Sequence, residues 1–162
     1  YQTFDFDDPE TSNRNIVNRQ FILANNSHFA VGPRSLLQLG VNYELAEQGR
    51  FVYNRWRQSL ALSWRNQEFQ LRLRHKVGEK LEVAPGGSYF RQVRWSHKVT
   101  PEGKLVRTVK DRHTNFGPIF EITYRPGPSL EFLFFGNIQY VNSSRRETEH
   151  INNFDVQLNW FF

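Results

Sequence analysis

Basic side chains alternating with apolar ones give this chain its clearest chemical potential. Arg72, Arg74 and Lys76 stand at every second position, so one face of a strand would carry all three. Guanidinium groups bind carboxylates and other anions, often with two parallel hydrogen bonds. The full basic set is Arg55, Arg57, Arg65, Arg72, Arg74, Lys76, Arg94 and Lys98. Carboxylates are sparse there and recur later, at Glu121, Glu131 and Asp155. The pattern predicts anion binding or ion pairing on one polar surface.

No group of side chains has the spacing of a catalytic or metal site. The five histidines are scattered, so no close pair of metal ligands is available. Ser143 and Ser144 precede His150 but lack an oriented third partner for hydrolysis. The glycine pair at 86–87 lacks the Lys-Ser/Thr of a phosphate loop. We therefore predict that the protein is not an enzyme and uses no metal and no cofactor.

Length and composition indicate one domain without thiol chemistry. The chain has 162 residues, a mass of 19.3 kDa and no cysteine. Its apolar stretches are only about five residues long, whereas a membrane-spanning helix needs roughly 20. A spanning strand needs only roughly 9–11 residues with alternate positions apolar. The mean hydropathy of −0.65 is therefore compatible with a membrane protein built from strands.

Alternation with a period of two runs through almost the whole chain and predicts an all-β fold. In the clearest segment, 37–45, every odd position is apolar and every even position is Gln, Gly, Asn or Glu. The pattern predicts nine strands. They lie at about 16–31, 36–46, 51–65, 68–78, 88–99, 104–112, 114–125, 129–142 and 149–162.

Short segments with Gly, Pro or Asn chemistry separate some of these strands and predict tight reversals. They are Gly32–Ser35, Asn66–Gln67, Thr100–Gly103 and Arg125–Pro128. Longer or more charged segments alternate with them, at 46–50, 78–88, 111–115 and 142–150. We therefore predict that the four short turns share one rim of the sheet and that the longer connections occupy the other.

The last nine residues form the most regular two-faced strand. Its apolar positions are Phe154, Val156, Leu158, Trp160 and Phe162. This segment resembles the closing strand of Gram-negative outer-membrane β-barrels, whose final aromatic is an assembly signal. The resemblance rests on a polar residue at Asp155 and aromatics at Trp160 and Phe162, and it departs at Gln157, where a glycine is common. It implies insertion into the bacterial outer membrane by the barrel-assembly machinery.

The alternation and the resemblance together predict an antiparallel up-and-down transmembrane β-barrel of about 8–10 strands in a single domain, 1–162. Residues 1–13 form a polar N-terminal segment, and 14–162 form the meander of strands. Bacterial single-chain barrels use even strand numbers, so three alternatives stay open. Either Tyr1–Phe6 adds a tenth strand, or the sequence is the C-terminal arc of a larger barrel. The third alternative is that the count of nine fails around Lys104–Asp111, where the alternation is weakest, or that 16–31 breaks at Asn25–Asn26.

For such a barrel we expect a pore, a translocation channel or the membrane anchor of an envelope assembly. The basic arc would face the acidic arc across the lumen, where it would favour anionic solutes or hold an acidic plug. Predicted partners are outer-membrane lipid, the barrel-assembly machinery, and other envelope proteins or further strands of the same chain. Aromatic girdles at the membrane interfaces are predicted at Trp56, Trp64, Trp95, Tyr124, Tyr140 and Trp160.

Two other classes of protein fit parts of the pattern. A soluble β-barrel that binds a lipid or another small ligand would turn the apolar face inward. A nucleic-acid-binding sheet would suit the net charge of +5 and the pI of about 9.7. That class needs aromatic and basic side chains on one face, whereas here the aromatics share a face with Leu and Val. We therefore predict no nucleic-acid partner.

Overall fold

The computed structural model describes residues 2–4, 16–52, 57–144 and 146–161, and every regular element in these ranges is a β-strand. The strands are β1 (Gln2–Phe4), β2 (Ile16–Gly32), β3 (Ser35–Val52), β4 (Arg57–Val77), β5 (Leu81–Val99), β6 (Leu105–Gly127), β7 (Leu130–Ser143) and β8 (Arg146–Trp160). Within these ranges no helix is long and apolar enough to cross a membrane.

The strands form one antiparallel sheet in their order along the chain, from β1 to β8. Each long strand pairs along most of its length with the strand that follows it in the chain. The all-β, up-and-down prediction is therefore confirmed. β1 covers only Ile16–Asn18 of β2, and in the described residues β8 pairs with β7 alone. The sheet is open, so its closure into a barrel stays a prediction.

The register aligns apolar side chains on one face of the sheet, here called the apolar face. Leu39 pairs with Leu71, and Phe116 pairs with both Tyr89 and Tyr140. Side chains of directly paired residues lie on the same side, and the sides alternate along each strand. Apolar windows of nine residues recur at 37–45, 69–77, 81–89, 116–124 and 132–140, and together they form the apolar band.

β4 corrects one of the predicted turns. Asn66 and Gln67 lie in the middle of a continuous 21-residue strand, where they pair with β3 on one side and β5 on the other. The predicted strands 51–65 and 68–78 are therefore wrong as separate elements. The parity of a continuous strand places Leu62 and Trp64 on the polar face and Arg65 on the same face as Phe69.

β6 corrects a second break. The predicted strands 104–112 and 114–125 form one strand of 23 residues, and the charged segment 111–115 pairs on both sides within it. The segments 46–50 and 81–88, predicted as connections, also belong to strands. Backbone pairing satisfies these polar segments as well as apolar ones, so local polarity does not end a strand. The eight strands still lie within the predicted range of 8–10.

The turns divide between two rims in a way that differs from the prediction. The C-terminal rim, where β8 ends, carries the turns at 33–34, 78–80 and 128–129. The far rim carries the turn at 100–104. Gly32–Ser35 and Arg125–Pro128 share a rim as predicted, but Thr100–Gly103 lies on the opposite one. The apolar band adjoins the C-terminal rim, whereas the strands β3 to β6 continue well beyond it towards the far rim.

Burial differs sharply between the two faces. Val156 on the apolar face is 69% exposed, whereas Ala84 and Ile119 on the polar face are each 2% exposed. Five of the seven buried side chains in the described residues lie on the polar face, and the other two, Val17 and Val93, lie on the opposite face outside the apolar band. We infer that the sheet curves around its polar face.

Candidate functional site

Four charged side chains form an ion-pair cluster on the polar face, across β4, β5 and β6. Arg74 lies between two carboxylates, with Nη2 3.1 Å from Glu121 Oε1 and Nη1 3.1 Å from Glu82 Oε1. Arg72 Nη1 lies 3.3 Å from the other oxygen of Glu121. Each carboxylate thus meets a guanidinium donor, and charge-assisted hydrogen bonds of this kind are stronger than neutral ones.

Small residues on β5 make room for this cluster. Gly86 pairs with Arg72, and Ala84 pairs with Glu121. A Cβ atom on Gly86 would lie 2.2 Å from the carbonyl oxygen of Leu71 and 2.9 Å from Cγ of Arg72, so only glycine fits. With little side chain on β5, the arginines of β4 reach across it to Glu121 on β6.

A second polar network follows the same face nearer the far rim. Glu44 accepts hydrogen bonds from Gln20 at 2.7 Å, from Asn66 at 2.6 Å and from the indole nitrogen of Trp64 at 3.1 Å. Gln92 donates to Asn66 at 2.9 Å. The network thus links four strands, β2 to β5, through side chains alone. Nothing in the sequence pairs these residues, because the contacts depend on the register.

The basic residues that the sequence predicts for one surface lie on both faces of the sheet in the structure. Arg72, Arg74, Lys76 and Arg94 lie on the polar face, and Lys98 lies on the same side close to the far rim. Arg65 lies on the opposite face, which is a correction that follows from the continuity of β4. Arg55 falls outside the described residues, and of Arg57 only its place at the start of β4 is described.

The predicted acidic residues lie on the polar face of three consecutive strands, β6, β7 and β8, and Glu121 and Asp155 share one row on either side of Phe135. Glu121 belongs to the ion-pair cluster, so its arginine partners reach it along the sheet and not across an interior. Glu131 accepts hydrogen bonds from Arg125 at 2.5 Å and Asn159 at 3.1 Å near the C-terminal rim. Asp155 accepts a hydrogen bond from Gln157 at 2.9 Å. The ion pairs of Glu121 therefore run along the sheet, and the opposition of two arcs across a lumen stays a prediction.

The terminal strand presents its apolar residues as predicted. Phe154, Val156, Leu158 and Trp160 lie on the apolar face, opposite Gly136, Phe134, Phe132 and Leu130 of β7. Phe162 lies outside the described residues. Ring centroids of Phe120 and Phe154 are 6.3 Å apart, on either side of Gly136, which leaves room for both rings. The strand is thus tied to its neighbours by aromatic contacts on the exposed face.

The predicted girdle residues fall into three groups. Tyr124, Trp160 and Tyr140 lie on the apolar face at the margins of the apolar band, and Trp95 lies on that face beyond it. Trp64 is on the polar face, where it binds Glu44, so its assignment to a girdle is wrong. Trp56 lies outside the described residues.

Neither a metal site nor a known relative accounts for this arrangement. In the four described ranges, no three His, Asp or Glu side chains converge as metal ligands do. Comparisons with protein-family models, curated proteins and solved structures found no match to this chain.

Proposed function

We propose that this chain forms part of the wall of an outer-membrane β-barrel and that its polar face lines the interior of a pore. The observation that carries the proposal is the exposed apolar face, which runs through all seven long strands. Phe154 and Trp160 on β8 are 58% and 67% exposed, and Phe21 on β2 is 57% exposed. A contiguous apolar surface of this extent marks a contact with lipid or with another protein.

The height of the apolar band supports lipid as that contact. Each apolar window spans nine residues on β3, β4, β5, β6 and β7. A transmembrane β-strand needs roughly 9–11 residues. A protein partner would not require an apolar band of one height across five neighbouring strands, whereas a bilayer does. A soluble ligand-binding module would need to bury its apolar face in its interior, whereas the apolar face of this sheet is exposed.

The two rims fit a fixed orientation in such a membrane. Tight turns at 33–34, 78–80 and 128–129 adjoin the band on the C-terminal rim. On the other side, β4 to β6 continue beyond the band. Outer-membrane barrels have short periplasmic turns and longer extracellular parts, so the C-terminal rim would be periplasmic.

The polar face has the properties of a lumen wall. It carries the ion-pair cluster and the Glu44 network, both of which would be unfavourable against lipid. The two arginines and two glutamates of the cluster balance in charge, so it would brace the wall and not select ions. Lys76 and Arg94 share this face with Glu44, Glu68 and Asp155, so the proposed lumen wall would carry charges of both signs.

Closure of the barrel would use the open edges of the sheet. Long unpaired edges expose backbone donors and acceptors that lipid cannot satisfy. We therefore propose that further strands pair with β2 and β8 in the assembled protein. These strands would come from the same polypeptide or from another copy of it.

Cysteine labelling in outer-membrane vesicles tests the proposal, and the absence of native cysteine makes single substitutions clean. Leu71→Cys places a thiol on the apolar face, and Gln70→Cys places one on the polar face a residue away. We expect a charged, water-soluble maleimide to modify position 70 and a lipid-soluble one to modify position 71. Equal labelling of both by the charged reagent would refute membrane residence.

A further inference from the structure

On the apolar face, basic residues lie on the far-rim side of the apolar band, between two and nine positions beyond its last residue on the same strand. They form the basic cluster of Arg65, Arg91, Arg107 and Arg112, contributed by β4, β5 and β6. Arg65 and Arg112 flank Val93 in register, and Val93 is only 4% exposed. The aliphatic parts of long basic side chains commonly cover such apolar positions while their charges stay accessible.

Trp95 brings two of these arginines together. The Cζ atom of Arg107 lies 3.7 Å from the centroid of the Trp95 ring, and that of Arg65 lies 5.8 Å from it. Each guanidinium gains from the ring, but two like charges at one indole repel each other. An anion placed between them would relieve that repulsion.

Two of the seven buried side-chain atoms that lack a hydrogen-bond partner in the described residues belong to neighbours of Trp95. Among the described residues, Nε of Arg65 and Nδ1 of His97 are buried and have no hydrogen-bond partner. His97 pairs with Arg107 of β6, and one residue separates His97 from Trp95 along β5. Buried polar groups normally find partners, so unsatisfied ones indicate an absent ligand or solvent.

The cavity at this position has two chemically distinct halves. Its volume is about 550 Å³, and its described walls include Phe21, Tyr43 and Leu45 on one side and Arg65, Arg107 and His97 on the other. Its acidic wall residue, Glu47, is held by Arg19 at 2.9 Å. The apolar half is continuous with the apolar band. A ligand that fits both halves is an anion attached to a hydrocarbon chain.

We infer that this cavity binds the phosphate of a membrane lipid, with Arg65 and Arg107 on the phosphate and the acyl chain along Phe21 and Leu45. The inference rests on the proposed membrane location. Arginine suits phosphate because its planar group donates two parallel hydrogen bonds. Leu45 is the last apolar position of the band on β3, and the arginines lie on its far-rim side, where lipid headgroups adjoin the hydrocarbon. A lipid is favoured over free phosphate because the apolar wall would otherwise gain nothing from binding.

Native mass spectrometry of the detergent-solubilised, full-length protein tests the inference with phosphatidic acid as the probe. We expect the wild type to retain phosphatidic acid in preference to phosphatidylcholine. Arg65→Gln with Arg107→Gln should reduce retention by about tenfold, since two charge-assisted contacts are lost. The matched control is Arg34→Gln with Lys80→Gln, which removes the same charge from turns on the C-terminal rim and should leave retention unchanged.

The possible results distinguish a failure of the lipid site from a failure of the proposed membrane location. If the wild-type protein needs detergent to stay in solution but shows no preference for phosphatidic acid, only the lipid site is overturned. If buffer without detergent extracts the protein, both proposals are overturned. Inorganic phosphate that displaces the lipid at millimolar concentration would identify a free-anion site and also overturn the inference. Arg107→Glu alone, at an exposed position, provides a second variant should the double variant not fold, and it must lose retention too.

Discussion

Arg74 binds Glu121 across an intervening strand, with 3.1 Å between Nη2 and Oε1. The two residues are 47 positions apart in the sequence and two strands apart in the sheet. The contact exists because β5 carries small residues where the side chains cross it. The ion pair therefore forms only when β4, β5 and β6 keep this register.

Replacing Glu121 tests the cluster as a brace. Glu121→Gln leaves Arg72 and Arg74 facing an amide, so we expect the free energy of unfolding to fall by about 1 kcal/mol, discounted for partial exposure. Urea titration followed by heat-modifiable gel migration gives the measurement. Glu68→Gln, exposed on the same face, is the control. Equal stability of both variants would contradict the role of the cluster.

Gly86 provides a steric test of the same crossing. Gly86→Ala places Cβ 2.2 Å from a backbone oxygen, so we expect strand displacement and a loss of about 2 kcal/mol or more. Gly87→Ala is the matched control, since its Cβ meets its nearest atom at an ordinary 3.7 Å. Comparison of the two folded fractions after refolding into detergent checks the expectation, which fails if Gly87→Ala is the more damaging change.

Ion selectivity tests the assignment of the polar face to a pore. In planar bilayers, the full-length protein should conduct ions, and its reversal potential should depend on the charges of the polar face. Lys76→Gln with Arg94→Gln should move it towards cations, because these charges lie on the polar face. Lys80→Gln with Lys104→Gln removes equal charge from turns and should have less effect. A wild type without conductance would contradict the pore, and an unchanged reversal potential in the Lys76 and Arg94 variant would contradict the place of these charges in its wall.

His97 should titrate below its ordinary pKa of 6.5. Burial disfavours the imidazolium, Arg107 repels it, and together they outweigh the attraction of Glu47, so the pKa is lowered. Since the unfolded chain binds the proton more readily, stability is lost as the pH falls below about 6.5, and the loss is complete below the folded pKa.

NMR titration of the histidine ring signals measures this pKa directly, and His97→Gln assigns the signal. Glu47→Gln should lower the pKa of His97 further, because it removes the attractive charge. A midpoint at or above the ordinary value would contradict the burial that the structure gives this ring. Ser63, whose Oγ lies 2.8 Å from Nε2 of His97, provides a neutral neighbour for comparison.

The sequence predicts strands well wherever one face must stay apolar. In 37–45 the alternation has a single phase, and the predicted faces are correct. Between Trp64 and Phe69 the phase reverses, which resembles a turn, but the strand continues. Beyond the apolar band neither face is bound to be apolar, so Trp64 can bind Glu44 on the polar side and Arg65 can lie on the other. Beyond the apolar band, the alternation of apolar and polar residues therefore does not predict which face a side chain lies on.

The candidate sites were harder to predict than the strands. Types and spacing identified Arg72 and Arg74 as a basic pair but not Glu121 as their partner. That contact depends on the register of two hairpins, and a shift of one residue would place the carboxylate on the opposite face. The pairing of Trp95 with Arg65 and Arg107 has the same dependence. Local pattern identifies such residues only after the neighbouring strands are aligned.

The unequal extension of the strands past the apolar band has a mechanical consequence. In β6, residues 105–115 lie on the far side of the band and only 125–127 lie on the other. At about 3.4 Å per residue, the longer part measures roughly 35 Å along the strand. A wall of hydrogen-bonded strands that long is far stiffer than a loop. In the proposed barrel, solutes approaching from that side would therefore first pass a stiff part of the wall, formed by β4 to β6, before they reach the depth of the lipid.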